Sequence, residues 1–124
     1  MATLTVRDES VSGETYDAFT LQFPSASITV RQLIRERVHQ EVLLHEQGRG
    51  SSPRHPLVVP TRPEAIEQKA VDWRQQAEIA CQAFERNGFV VLLDEHQAEQ
   101  LDEVLSIRHD SVASFIKLTP LVGG

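Results

Sequence analysis

The stretch that most constrains the fold is a helix with a fully specified beginning. Thr29 stands where an N-cap residue belongs, and Gln32, three positions later, completes a capping box. Apolar residues then recur at three- and four-residue spacing: Val30, Leu33, Ile34, Val38 and Val42. A helix with one apolar stripe must bury it against another layer. Gly48 and Gly50 predict where the helix ends.

The segments before this helix predict the layer on which it packs. Residues 3–7 alternate polar and apolar side chains, and so do residues 19–23. Alternation with a period of two is typical of a half-buried strand. A polar turn that contains Gly13 separates the two runs, so they predict an antiparallel hairpin.

The residues after the first helix predict an insert at about 48–88. Residues 48–63 hold four prolines together with glycine and serine, a composition typical of a linker. A second long helix is predicted over 61–87, with Thr61 as its cap and Glu64 as the capping-box partner. Its seam of apolar residues steps by four and three: Ile66, Ala70, Trp73, Ala77, Ala80 and Phe84.

The last third of the chain predicts two strands and a tail. Residues 89–93 are apolar throughout, which predicts a central strand covered on both faces. Residues 101–107 predict a short helical turn, and residues 113–118 a final strand that runs into the tail 119–124. The chain is therefore expected to be a single α+β domain, residues 1–124. We expect a mixed sheet of about four strands with one core helix and the inserted second helix.

Composition and charge oppose several classes of function. The net charge of −6 is spread along the chain, whereas a nucleic-acid binder needs clustered lysine and arginine. The longest apolar run, residues 89–93, is too short to cross a bilayer, and no secretory leader is visible at the N-terminus. The single cysteine, Cys81, cannot form an internal disulfide, so we expect a cytoplasmic protein.

No catalytic or metal-binding constellation is visible, so we expect neither an enzyme nor a cofactor. Cys81 lies among the apolar residues of the second helix and is expected in the core. The five histidines show no metal-ligand spacing. The acidic pairs at 94–95 and 102–103 are expected to be solvated loop residues.

The order of these elements resembles the ubiquitin-like β-grasp superfamily. The likeness lies in the hairpin that runs through Pro24 and Ser25 into the capped helix, in residues 89–93 followed by 101–107, and in a last strand that leads into a terminal Gly-Gly. The tail, Thr-Pro-Leu-Val-Gly-Gly, is similar in character to that of the sulfur-carrier proteins of molybdopterin synthesis, since it lacks the arginines of the ubiquitin tail.

The resemblance implies that Gly124 and Gly123 are the functional residues. An E1-like activating enzyme would adenylate the terminal carboxylate, which would pass to a target protein or a sulfur acceptor. Glycines can thread a narrow channel because they have no side chain. Pro120, Leu121 and Val122 would be recognised as the tail.

Other functions stay open at this stage. The chain could be a non-conjugating interaction module that recruits a partner, or a second copy, through its sheet surface and the seam of the second helix. Trp73 and Phe84 would then be aromatic anchors. The same seam could instead pack on the protein's own core, and Gly-Gly could be an ordinary terminus. A small enzyme subunit, with a site shared between chains, is the third alternative.

Overall fold

The computed structural model describes residues 1–46, 59–60, 72–118 and 122–123. The elements within them are β1 (Ala2–Glu9), β2 (Thr15–Phe23), β3 (Ser27–Thr29), α1 (Val30–Glu46), β4 (Val59–Pro60), α2 (Trp73–Glu85), β5 (Phe89–Leu93), β6 (His96–Gln97), β7 (Val104–Ser106), β8 (Val112–Lys117) and β9 (Val122–Gly123).

Five strands form a mixed sheet in the order β2-β1-β8-β5-β6. The predicted hairpin is confirmed, because β1 and β2 pair antiparallel with Leu4 opposite Leu21 and Val6 opposite Phe19. β1 pairs in parallel with β8, and β8 pairs antiparallel with β5. The prediction of an α+β fold with a mixed sheet is confirmed, and the sheet has five strands where about four were expected.

The capping box at the start of α1 is confirmed. The backbone N–H of Thr29 donates to Oε1 of Gln32 at 2.7 Å, and the backbone N–H of Gln32 donates to Oγ1 of Thr29 at 3.1 Å. The predicted stripe of the helix is buried along its length: Val30, Leu33, Ile34, Val38 and Val42. The local sequence therefore sets both where this helix begins and which face it buries.

The core lies between one face of the sheet and the two helices. The sheet contributes its inward-facing residues, chiefly Leu4, Val6, Leu21, Phe23, Phe89, Val91, Ala113 and Phe115. The prediction that β5 is covered on both faces is wrong, because Val90 and Leu92 are only half-buried. Neither helix covers that outer face within the part of the chain that is described, so β5 alternates in burial despite its apolar sequence.

The predicted second helix is interrupted at Asp72. Asp72 is the N-cap of α2: its backbone is extended, and its side chain accepts from the backbone N–H of Arg74 at 3.0 Å. A continuous helix from 61 to 87 is therefore wrong, while the proposed cap Thr61 and its partner Glu64 lie outside the described residues. The helix ends at Glu85, close to the predicted end at 87, and Asn87 just past it adopts a positive φ of 63°.

The predicted helical turn at 101–107 is also wrong, because residues 104–106 form β7, which pairs antiparallel with β3. The burial here has a period of two, with Leu105 and Ile107 buried and Val104 62% exposed. The preceding loop caps α1, as the backbone N–H groups of Val30 and Arg31 donate to the carbonyls of Glu103 and Leu101 at 3.0 Å. These bonds satisfy N–H groups in the first turn of α1 and hold the loop in a non-helical path.

Candidate functional site

The base of the tail is fixed by β8. Five residues of β8 pair with β1 on one side, and five pair with β5 on the other. Beyond the strand, the backbone N–H of Leu118 donates to the carbonyl of Gly88 at 2.9 Å. The chain therefore leaves the sheet at Leu118, from a point held on both sides.

The tail itself is described at two of its residues, Val122 and Gly123. These form β9, which pairs in parallel with β4, so that Val122 faces Val59 and Gly123 faces Pro60. The other predicted site residues of the tail, at 120, 121 and 124, lie outside the described residues. The structure thus gives Gly123 an extended backbone that is paired with the insert.

A buried ion pair lies between α1 and the sheet that carries the tail. The guanidinium of Arg37 is completely buried and donates to both carboxylate oxygens of Asp8, at 2.5 and 2.8 Å, while its Nε donates to Glu41 at 2.9 Å. The same guanidinium lies 5.2 and 4.6 Å from the ring centroids of Phe19 and Phe115. It thereby connects α1 with β1, β2 and β8.

The electrostatics of this cluster keep Arg37 charged. Burial by itself opposes the charge, but the carboxylates of Glu41 and Asp8 outweigh it and hold the pKa of Arg37 above its ordinary value. Lys117 ends β8 beside this cluster and is half-buried. Burial, together with the positive charge of Arg37, lowers the pKa of the Lys117 ammonium.

Our sequence reasoning did not identify the Arg37–Asp8 pair, although two signals were present. Asp8 continues the inward-facing positions of β1 after Leu4 and Val6, and Arg37 lies three residues after Ile34 on the apolar face of α1. Two opposite charges at positions that are otherwise buried predict a partnership. What the sequence lacked was the packing of that turn of the helix on β1.

The acidic residues of the later loops make structural bonds. The carboxylate of Asp94 accepts from the backbone N–H of Val112 at 2.9 Å and from Oγ of Ser111 at 2.8 Å. These bonds, chiefly the one from Val112, and the nearby Arg108 lower the pKa of Asp94. Asp94 is therefore more than the solvated loop residue that the sequence predicts, since it ties the end of β5 to the start of β8.

Glu103 has a similar role in its own loop. Its carboxylate accepts from the backbone N–H of Glu99 at 2.9 Å and lies 2.5 Å from Nε2 of His96. The backbone bond first, and His96 next, lower the pKa of Glu103. The partners of Asp94 and Glu103 are separate, so the two carboxylates form no acid–base pair.

The two predicted aromatic anchors lie in different environments. Trp73 is half-buried, and its indole stacks on His39 with ring centroids 4.1 Å apart. The guanidinium groups of Arg35 and Arg74 lie 5.2 and 5.0 Å from the same ring. Phe84 is 6% exposed and packs in the core, where its ring centroid lies 5.8 Å from that of Phe89. Only Trp73 keeps surface that a partner could reach.

The rest of the seam packs on the protein's own core, with Ala77, Ala80 and Cys81 buried. Burial raises the pKa of the Cys81 thiol, as expected for a core cysteine. Among the described residues, no group of three or more His, Cys, Asp or Glu side chains could hold a metal ion. Neither described helix is long and apolar enough to cross a membrane.

The outer face of the sheet carries a shallow depression of about 480 Å³ near the β1, β5 and β8 strands. It is lined by Arg7, Glu9, Leu92, Asp94, Glu95, Val112 and Ser114. Across it, Oγ of Ser114 donates to the carboxylate of Glu9 at 2.6 Å. Its lining is mainly polar, with Leu92 and Val112 as the aliphatic members, and it faces away from both helices.

Comparison with known proteins gives no match to a family model, a curated protein or a solved structure. The function must therefore be inferred from the chain's own residues. Two features stand out: the tail leaves from the middle of the sheet, and its Gly123 pairs with the insert.

Proposed function

We propose that this chain is a ubiquitin-like protein modifier or sulfur carrier whose Gly124 carboxylate is activated by an E1-like adenylating enzyme. The observation that carries the proposal is the way the tail is mounted. β8, which leads into it, is held between β1 and β5, and the described tail residues have an extended backbone. A tail that starts from a fixed strand and has an extended end is suited to present its terminal carboxylate to another protein.

The strand order supports a β-grasp fold. The first strand, β1, and the last long strand, β8, lie side by side and parallel, each flanked by the partner of an antiparallel pair. The helix α1 follows the first hairpin and buries its apolar stripe against the sheet. This is the arrangement that the resemblance of the sequence to ubiquitin-like proteins predicts.

The chemistry requires little of this chain beyond its carboxylate. The terminal carboxylate attacks the α-phosphate of ATP, an acyl adenylate forms, and pyrophosphate leaves. A thiolate, persulfide or amine then attacks the acyl carbon, and AMP leaves with the bonding electrons. After attack by a persulfide, a thiolate of the sulfur donor must attack the outer sulfur of the acyl disulfide, which releases the thiocarboxylate and leaves a disulfide on the donor. Gly123 and Gly124 present no side chain to a narrow enzyme channel. The six residues from 119 to 124 can reach about 20 Å from the sheet when extended.

The test is intact-mass analysis and immunoblotting of the untagged protein from its own cells. We expect a species with one oxygen replaced by sulfur, or a ladder of heavier covalent products. Either signal should vanish when Gly124 is deleted and persist in Val11→Ala, a change at a surface residue that is 77% exposed. Only unmodified protein, under several growth conditions, would contradict the proposal.

A second function, that of a non-conjugating interaction module, is favoured by one observation. The half-buried Trp73 lies between the side chains of His39, Arg35 and Arg74, and such cationic aromatic surfaces are common at interfaces. In this case, deletion of Gly123 and Gly124 should leave function intact. Trp73→Ala should abolish recovery of the partner, whereas Phe84→Leu, a buried change, should preserve it.

A further inference from the structure

The pairing of the tail with the insert is more specific than a chance contact between two extended segments. Val59 and Pro60 face Val122 and Gly123 in a parallel register. We propose that Val59–Pro60 is a docking strand, a binding site for the extended backbone of the diglycine tail. Its role in holding Gly123 until an activating enzyme takes the tail rests on the proposed function.

Proline 60 determines which tail residue the docking strand binds. In a parallel ladder, one residue of each facing pair uses both its N–H and its C=O toward the other strand, and this role alternates between the strands. Pro60 has no N–H and cannot take the role in its pair. In the Pro60–Gly123 pair, Gly123 must therefore be the residue that hydrogen-bonds through both groups. In the neighbouring pair, that residue is Val59. The register thus directs both the N–H and the C=O of Gly123 toward the docking strand.

The ligand of this site is accordingly defined by its backbone. It is an extended C-terminal peptide whose residue opposite Pro60 offers both a donor and an acceptor toward the docking strand. This is strand addition, in which main-chain hydrogen bonds supply the affinity. The two partners belong to one chain, so the effective concentration of the tail at the docking strand is high.

The pair is suited to reversible binding. Two facing residue pairs make few hydrogen bonds, and strand pairs this small are marginal by themselves. An enzyme channel that encloses the tail needs the same Gly123 backbone, so binding there and pairing with Val59 exclude each other. The apparent affinity of the enzyme for the chain is then reduced by the fraction of chains in which the tail is docked.

The experiment measures amide hydrogen exchange of Gly123 by NMR in the full-length, isotopically labelled chain. We expect exchange to be slowed about tenfold relative to an unstructured glycine, the size of effect that about one net hydrogen bond gives. In this register the N–H of Gly123 donates to the carbonyl of Val59, which Val59→Pro keeps. The variant removes the hydrogen bond that the N–H of Val59 donates to the tail, and a strand pair this short should then open and let Gly123 exchange fast. Pro60→Ala is the matched control, because its new N–H has no role in this register and protection should persist. Val91 lies in the central sheet, so an unchanged rate of hydrogen exchange at its amide shows that each variant is folded.

Three results would overturn the docking strand. These are unstructured exchange of Gly123 in the native chain, equal protection in the Val59→Pro variant, and loss of protection on dilution, which would place the pairing between copies. In cells, the covalently modified fraction should rise in Val59→Pro above that in the native chain and in Pro60→Ala. An unchanged fraction would refute the holding role. Absence of modified protein in all three would refute the proposed function, whereas Gly123 exchange decides the docking strand independently.

Discussion

Two parallel strand pairs join distant parts of this chain, and they differ in what holds them. β1 and β8 share five facing residue pairs and are flanked by β2 and β5. β4 and β9 share two facing pairs and form a sheet of their own. Both pairs are parallel, so they differ in their length and in the strands that flank them.

A long parallel pair inside a sheet and a short one outside it are expected to differ in permanence, because both the number of facing residues and the packing around them differ. Parallel pairing is slightly less stable per residue than antiparallel pairing and is usually buried. In the β1–β8 pair, Val6, Ala113 and Phe115 are almost completely buried, and the Arg37–Asp8 ion pair lies against them. The β4–β9 pair has two facing residue pairs and, among the described residues, no strand on either side, so we expect it to open while the rest of the fold persists.

The largest expected effect is the loss of the buried ion pair that supports β1 and β8. Arg37→Met leaves the carboxylate of Asp8 buried without its cation and should reduce the free energy of unfolding by about 3–5 kcal/mol. Urea denaturation followed by circular dichroism measures the loss. Arg31→Met is the control, since the Arg31 side chain is 48% exposed and its change should cost less than about 0.5 kcal/mol.

A companion variant distinguishes charge from packing at this position. Replacing both partners, Arg37→Met with Asp8→Leu, should recover part of the lost stability, because the Asp8 carboxylate is then no longer buried without its cation, while Glu41 still loses the bond from Nε of Arg37. If Arg37→Met alone costs less than about 1 kcal/mol, the ion pair does not stabilise the β1–β8 region and the contrast with the tail pair weakens.

An intermediate effect is expected at the cap of α1, which borders the buried sheet. Thr29→Ala removes the oxygen that accepts the Gln32 backbone N–H and should cost about 1 kcal/mol in thermal or urea unfolding. Thr29→Ser keeps that oxygen and should stay close to the native protein. Equal losses in both variants would show that the methyl group, and not the capping bond, matters at this position.

A smaller, pH-dependent effect is expected where β5 meets β8. The pKa of Asp94 is lower in the folded chain than in the unfolded one, so its carboxylate stabilises the fold above the ordinary carboxyl pKa of about 3.9. That contribution is lost as the pH falls through the lower, folded value. In the Asp94→Asn variant, the free energy of unfolding should therefore fall less steeply as the pH is lowered into the acidic range. Asp102→Asn, at an exposed turn, is the matched control, and an equally reduced slope there would contradict the role of Asp94.

The smallest expected effect concerns the tail itself. Deletion of Gly123 and Gly124 removes the β4–β9 pair but leaves the β1–β8 pair intact, so the free energy of unfolding should change by less than about 0.5 kcal/mol. Differential scanning calorimetry makes this measurement. A larger loss would mean that the tail pair belongs to the cooperative fold, and the distinction between a permanent and an opening pair would fail.

Local sequence signals predicted the local features of this molecule. The capping box at Thr29, the stripe of α1 and the alternation of the first hairpin all act within a few residues, and each is confirmed. The features that sequence reasoning missed depend on segments far apart. β7 is extended because it pairs with β3, and the apolar outer residues of β5 stay half-exposed because neither described helix covers them.

The candidate site shows the same division. The importance of Gly123 was predicted from sequence and stays a prediction, whereas its pairing with the insert depends on a contact between residues more than sixty positions apart, which the sequence did not reveal. Trp73 and Phe84 occupy equivalent places in the seam pattern, yet only the packed structure shows that Phe84 faces β5 and Trp73 the surface. Periodicity identifies an apolar face but does not identify what covers it.

The parallel direction of β1 and β8 also gives the molecule two poles. Glu9 faces Ile116 near the point where the tail leaves the sheet, so Met1, eight residues back along the same strand, lies about 25 Å away at the opposite end. A dye, affinity handle or second domain attached at Met1 would project away from any enzyme that engages the tail.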